Sequence, residues 1–121
     1  MKFTEEHEWL RPENGEEDVV TVGLTETGAS RLGSMVFVEL PEEGKVVAKD
    51  EEIAVLEGED ATIEVMSALD GEIVEINEAL EDDPGLINED PMGAGWLFRM
   101  RIEDADEFEE LLDEAAYKNL S

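Results

Sequence analysis

The sequence predicts a mostly β fold with two helices. Three observations carry that expectation. Apolar residues alternate or cluster in strand-length runs along most of the chain, turn-forming residues punctuate those runs at short intervals, and 32 of the 121 residues are Leu, Ile, Val or Phe. That apolar share, about a quarter, lies above the roughly 20% below which a highly charged chain stays disordered. The length fits a single domain spanning residues 1–121, large enough to build a core without staples.

The elements follow from local pattern. Val19-Val20-Thr21-Val22-Gly23-Leu24 reads as a strand after the turn-rich Pro12-Glu13-Asn14-Gly15. Thr25 is placed to N-cap a short helix running to about Leu32, with Gly33 as its stop. Gly28 and Ser30 are poor helix formers, so this helix depends on packing. Met35-Val36-Phe37-Val38-Glu39-Leu40 is an apolar strand ended by Pro41. Short strands then recur between Gly44, Asp50, Gly58, Asp70-Gly71 and Asp82-Asp83-Pro84-Gly85, the cadence of a small sandwich or barrel. Gly44 to Ile53 aligns without gaps on Gly71 to Leu80, which suggests two similar half-units with a hairpin tip between them. The second helix is expected over about 104–119. Asp104 caps it, Glu107 stands where a capping box needs an acid, and Phe108, Leu111, Leu112 and Ala115 form an i, i+3, i+4, i+7 stripe.

Charge excludes several functions. There are 35 Asp and Glu against 8 Lys and Arg, a formal net charge of −27. Such a surface repels phosphate backbones and acidic headgroups, so neither nucleic acid nor membrane is an expected partner. Acids spread from Glu5 to Glu114 fit adaptation to a salty, halophile-like cytoplasm, because at 1 M salt the Debye length shrinks to about 3 Å and carboxylate repulsion is screened. Cysteine is absent, which rules out disulfides and thiol catalysis. The start has no apolar leader segment and no window is long enough to span a membrane, so a cytoplasmic location is expected.

No residue set resembles a catalytic or metal centre. The single histidine, His7, sits in Glu6-His7-Glu8, where strand alternation would put the two acids on the face opposite the imidazole. A general base needs an orienting partner and a nucleophile to act on, and none is nearby in sequence. The acidic runs Glu81-Asp82-Asp83 and Glu89-Asp90 lack the fixed spacing of a calcium loop. Gly93-Ala94-Gly95 lacks the rest of either nucleotide fingerprint.

Several segments, in order, resemble the H-protein family of the glycine cleavage system. They are Glu6-His7-Glu8-Trp9-Leu10, similar to that family's opening strand; Thr21-Val22-Gly23-Leu24-Thr25; Leu32-Gly33-Ser34-Met35-Val36-Phe37-Val38-Glu39-Leu40-Pro41; Gly71 to Asn77; Pro84 to Pro91; Gly95-Trp96-Leu97-Phe98; and Leu111-Leu112-Asp113 with Ala116-Tyr117. The resemblance implies a lipoyl/biotinyl-type barrel-sandwich hybrid with a short helix in the N-terminal half and a C-terminal helix. It also implies a carrier and not an enzyme. In that family a lysine at a hairpin tip bears lipoic acid in amide linkage and visits the decarboxylase, aminomethyltransferase and dihydrolipoamide dehydrogenase.

Here the sequence departs from the family pattern. The family's run is Glu, a small residue, Val or Ile, the modified Lys, then Ala, with a Gly eleven residues past the lysine. Counting back from Gly71 gives Glu57-Gly58-Glu59-Asp60-Ala61, so Asp60 occupies the lipoyl-lysine position. Ala68 replaces a proline common in the returning strand. No lysine lies between Asp50 and Lys118, so realignment cannot restore the acceptor. The expectation is a member that binds no lipoyl cofactor, has no catalytic or metal residues, and works as a binding or regulatory module. Its partners would be glycine-cleavage or lipoate-handling proteins. Two alternatives remain open: a working carrier that uses Lys45 or Lys49, and an acidic cation-binding module.

Overall fold

A computed structural model describes residues 1–13 and 16–120. The elements in chain order are β1 (Lys2–Phe3), β2 (Glu8–Glu13), β3 (Glu16–Leu24), α1 (Glu26–Leu32), β4 (Met35–Glu39), β5 (Val46–Val47), β6 (Glu52–Gly58), β7 (Thr62–Met66), β8 (Gly71–Ile76), α2 (Ala79–Asp82), α3 (Leu86–Glu89), β9 (Phe98–Ile102), α4 (Ala105–Glu109) and α5 (Glu114–Leu120). They build two antiparallel sheets and not a closed barrel. One sheet is six-stranded in the order β1-β2-β3-β9-β8-β5, and the other is three-stranded in the order β4-β6-β7. The fold is therefore mostly β, as the apolar runs predict. Of the expected turn Pro12-Glu13-Asn14-Gly15, Asn14 and Gly15 lie outside the described residues.

The core sits between the sheets. Leu10, Val22 and Leu24 from the larger sheet meet Leu56 and Val65 from the smaller one, with Ile73, Phe98 and Met100 completing it. Strand alternation turns Trp9 to the opposite side of β2, where a second cluster forms with Phe3 and Tyr117. The Trp9 indole N–H donates to the Pro91 carbonyl at 3.0 Å, so its one polar group is satisfied in full burial. The repeated segments meet directly: Val46 pairs with Glu72 and Val47 with Gly71, which places the two echoes side by side in the larger sheet.

Helix α1 forms as its sequence dictates. The Thr25 hydroxyl accepts from the Gly28 amide at 3.2 Å, and Gly33 ends the helix at φ +71°, the left-handed region that glycine enters without steric cost.

Three expectations are corrected. Helix is not confined to two places, because single turns also form at α2 and α3, where Leu80 and Ile87 are drawn into the core. The C-terminal helix over 104–119 is two helices. The Asp104 carboxylate caps α4 through the Asp106 amide at 2.9 Å, but the chain then opens so that Phe3 and Leu112 exchange backbone hydrogen bonds of 2.7 and 3.1 Å. Asp113 restarts the helix by accepting from the Ala116 amide at 2.8 Å. Phe108 stays buried, whereas Ala115, the last residue of the expected stripe, is exposed.

The third correction concerns Glu6-His7-Glu8-Trp9-Leu10, which is not a continuous opening strand. β1 precedes it, and residues 4–7 form a turn closed by Thr4, whose amide donates to the Glu8 carbonyl at 3.0 Å and whose carbonyl accepts from the His7 amide at 3.2 Å. His7 takes φ +67°, so the alternation expected across Glu6, His7 and Glu8 does not hold. His7 Nδ1 instead lies 2.6 Å from the Tyr117 hydroxyl, which lies 2.8 Å from Thr25 Oγ1. Burial first, then the Arg31 charge, lower the His7 pKa against an opposing pull from Glu6. A neutral ring suits this contact, and it ties α5 to the start of α1.

Candidate functional site: the hairpin tip and its adjoining cleft

The β6–β7 hairpin is in register to its end, with Leu56 opposite Ile63 and Glu57 opposite Thr62. The Gly58 amide donates to the Ala61 carbonyl at 2.9 Å, closing a turn over Glu59 and Asp60. This turn rests on the end of α1. The Asp60 amide donates to the Leu32 carbonyl and the Glu59 amide to the Ser34 carbonyl, both at 2.9 Å. Carbonyls at a helix end lack partners within the helix, and here the hairpin tip supplies them. The approach is close enough that a Cβ on Gly58 would collide with the Leu32 backbone.

Asn88 on α3 fixes the other side of this junction. Its side-chain oxygen accepts from the Met35 amide at 2.9 Å and its nitrogen donates to the Gly33 carbonyl at 2.7 Å. Nothing in the sequence assigned Asn88 a role, although it lies within one of the segments that carry the resemblance. Asn88→Ala should lower stability by about 1–2 kcal/mol, the range for losing two modest hydrogen bonds at an exposed site. The same change should speed amide exchange at Glu59 and Asp60, read by urea melts together with hydrogen-exchange NMR. An unchanged tip would mean that Asn88 does not hold it.

Glu57, Gly58, Glu59, Asp60 and Ala61 stand together at this tip. Asp60 is exposed, and its carboxylate lies back over Gly33: a Cβ built on Gly33 would stand 2.5 Å from Asp60 Oδ2. An amide to lipoic acid needs a nucleophilic amine on a stem long enough to clear the surface. No side chain from Glu57 to Ala61 has one, so the residues present do not fit a lipoyl group. The other two candidates lie elsewhere. Lys45 precedes β5 and pairs with Glu51 at 3.6 Å. Lys49 follows β5, and its backbone amide donates to Asp70 Oδ1 at 2.7 Å.

From the tip, β7 leads to a cleft of about 640 Å³ bounded by the 4–8 turn, Glu64, Met66 and the α4–α5 junction. Asp60 and Glu64 are separated by four residues, roughly 13 Å of strand. Ala68, in the turn after β7, also lines this cleft. Six acidic residues and Lys49 line it, so an entering anion would meet strong repulsion. Among the acids, Glu8 is buried, with Thr4 Oγ1 donating to its carboxyl at 3.3 Å. Loss of solvation pushes its pKa up to about 8, helped by the Glu6 charge and opposed by the Thr4 hydrogen bond. The sequence did not single out Glu8. Its signal was the step from Glu8 to Leu10, two residues on one strand face, which shares Glu8's side with the core.

Among the described residues, no three His, Asp or Glu side chains converge as a metal site would require. Glu81, Asp82 and Asp83 are exposed around the end of α2, and Asp90 Oδ2 accepts from the Ala94 amide at 2.9 Å. No helix among the described residues is long and apolar enough to cross a membrane.

Comparison with known proteins agrees with this architecture. A family model described as glycine cleavage H-protein matches residues 1–121. A glycine cleavage system H protein from Psychrobacter sp. (strain PRwf-1) is 48% identical over 118 residues, covering 98% of this chain and 92% of the relative. The crystal structure of a glycine cleavage system H protein from Mycobacterium marinum superposes with a TM-score of 0.82 at 33% identity, covering 98% of this chain and 93% of the other. The chain belongs to the glycine cleavage H-protein family.

Proposed function

We propose that this chain is a non-catalytic member of the family that carries no lipoyl group and serves as a binding or regulatory module in glycine cleavage or lipoate metabolism. The observation that carries this reading is Asp60 at the hairpin tip, in a chain with no lysine between Asp50 and Lys118. An aspartate has no amine to acylate, and its single methylene could not hold a reactive group clear of the surface. The tip's backbone supports the same reading, because it is anchored to α1 by main-chain bonds that do not involve the Asp60 side chain. A presented surface thus survives without the acceptor. Both relatives named above are assigned to the glycine cleavage system, which makes proteins of that system the first partners to test.

The test is the intact mass of the chain after co-expression with a lipoate ligase and lipoic acid. The expected mass is that of the bare polypeptide. A lipoyl-sized increment mapped to Lys45 or Lys49 would establish the carrier reading in its place.

A further inference from the structure

We propose that the outward face of the β4-β6-β7 sheet, with Val36 and Phe37 at its edge, is a docking surface for a basic protein partner that offers an apolar socket; this rests on the reading of the chain as a binding module. The geometry starts from a β-bulge. Met35 pairs with Gly58 and Phe37 with Glu57, so β4 advances two residues while β6 advances one, and Val36 is the extra residue. A regular strand would turn one of two consecutive side chains inward. The bulge leaves Val36 58% and Phe37 52% exposed.

Large exposed apolar side chains are few in the described chain: Met1, Val36, Phe37, Val46 and Met66. Three of the five are on this one small sheet. Its other face packs into the core through Ala54, Leu56 and Val65. Outward, Phe37 stands across from Glu57, and half-buried Val55 stands between Glu39 and Glu64. Apolar and carboxylate groups therefore alternate across the face.

Charge selects the occupant. The three strands carry Glu39, Glu52, Glu57 and Glu64 with no Lys or Arg, and the tip adds Glu59 and Asp60. The larger sheet differs. There Arg99 pairs with Glu13 and Glu75, and Arg101 pairs with Asp18. A second copy of this chain would bring the same carboxylates face to face, which like-charge repulsion opposes. A surface of Arg or Lys interleaved with apolar side chains would match both the charge and the exposed Val36 and Phe37.

The test uses the full unlipoylated chain and two synthetic peptides of equal charge, one alternating Arg with Leu and the other alternating Arg with Ser. Amide NMR titrations at low and at 1 M salt give affinities and map the contact. The Arg-Leu peptide should bind about tenfold tighter, the gain expected for partly burying one aromatic or aliphatic side chain. Shifts should centre on Phe37, Glu57, Thr62 and Glu64, and binding should weaken with salt. The double change Val36→Ser, Phe37→Ser should abolish the Arg-Leu advantage, and Val36→Ser alone should reduce it. Equal affinity for the two peptides, shifts centred on the Glu8 cleft, indifference to both variants, or a sedimenting dimer that buries Val36 and Phe37 would each overturn the proposal. The peptide result is independent of the lipoylation mass, so either reading can fail while the other stands.

Discussion

Asp60→Lys should take the chain from no lipoyl group to one per molecule when a lipoate ligase is co-expressed. The main-chain bonds of the tip run from the amides of Gly58, Glu59 and Asp60 to Ala61, Ser34 and Leu32, so the substitution leaves the turn's scaffold intact. Asp60 is exposed, and the glycine beneath it gives the first methylenes of a lysine room to pass. The longer stem then ends in solvent, where an acylating enzyme can reach it. The family pattern places Glu three residues before the modified lysine and Gly eleven after it, and Glu57 and Gly71 stand at those positions here. Intact mass gives the stoichiometry and a peptide map the site. An unmodified Asp60→Lys chain would show that the tip has lost more than its acceptor. Glu59, where the family pattern has Val or Ile, would then be the next residue to exchange.

The strands were legible in the sequence because their apolar pattern reports a local fact, which side chains face the core. Val19 to Leu24 and Met35 to Glu39 fall within observed strands, and β6 pairs with β7 so that Asp60 lies in the turn between them. Most of the failures trace to contacts between residues far apart in sequence. The stripe from Phe108 to Ala115 is good helical sequence, yet the chain opens where Leu112 pairs with Phe3. Glu6-His7-Glu8 has the alternation of a strand, but the Thr4 turn and the Tyr117 hydroxyl hold His7 in the left-handed region. Asn88 and Glu8 escaped notice for the same reason. Asn88 acquires its role from backbone groups 53 and 55 residues away, and Glu8 from burial in the assembled β-structure.

Glu8→Gln should stabilise the chain progressively as pH rises. In the folded chain, burial holds the Glu8 carboxyl protonated to about pH 8, whereas its ordinary value is 4.5. Between those values the folded state binds a proton that the unfolded state has released. Stability from this group is therefore complete below about 4.5, falls as pH rises, and stops falling above about 8. Each unit in that window costs about 1.4 kcal/mol, so the whole interval amounts to several kcal/mol, a large part of a small domain's stability. Glutamine keeps an oxygen that can accept from Thr4 and has nothing to ionise, so its stability lacks this slope. The remaining carboxylates, including Glu5, Glu6, Asp50, Glu64 and Glu110 around the same cleft, and the Lys49 ammonium are common to both chains. Their titration cancels to first order in the difference. Urea melts of the two proteins at pH 5, 6.5, 8 and 9 in 1 M salt should give stabilities that diverge up to pH 8 and run parallel beyond it. Parallel behaviour from pH 5 upward would mean that Glu8 is already ionised there and that the cleft solvates it as a carboxylate.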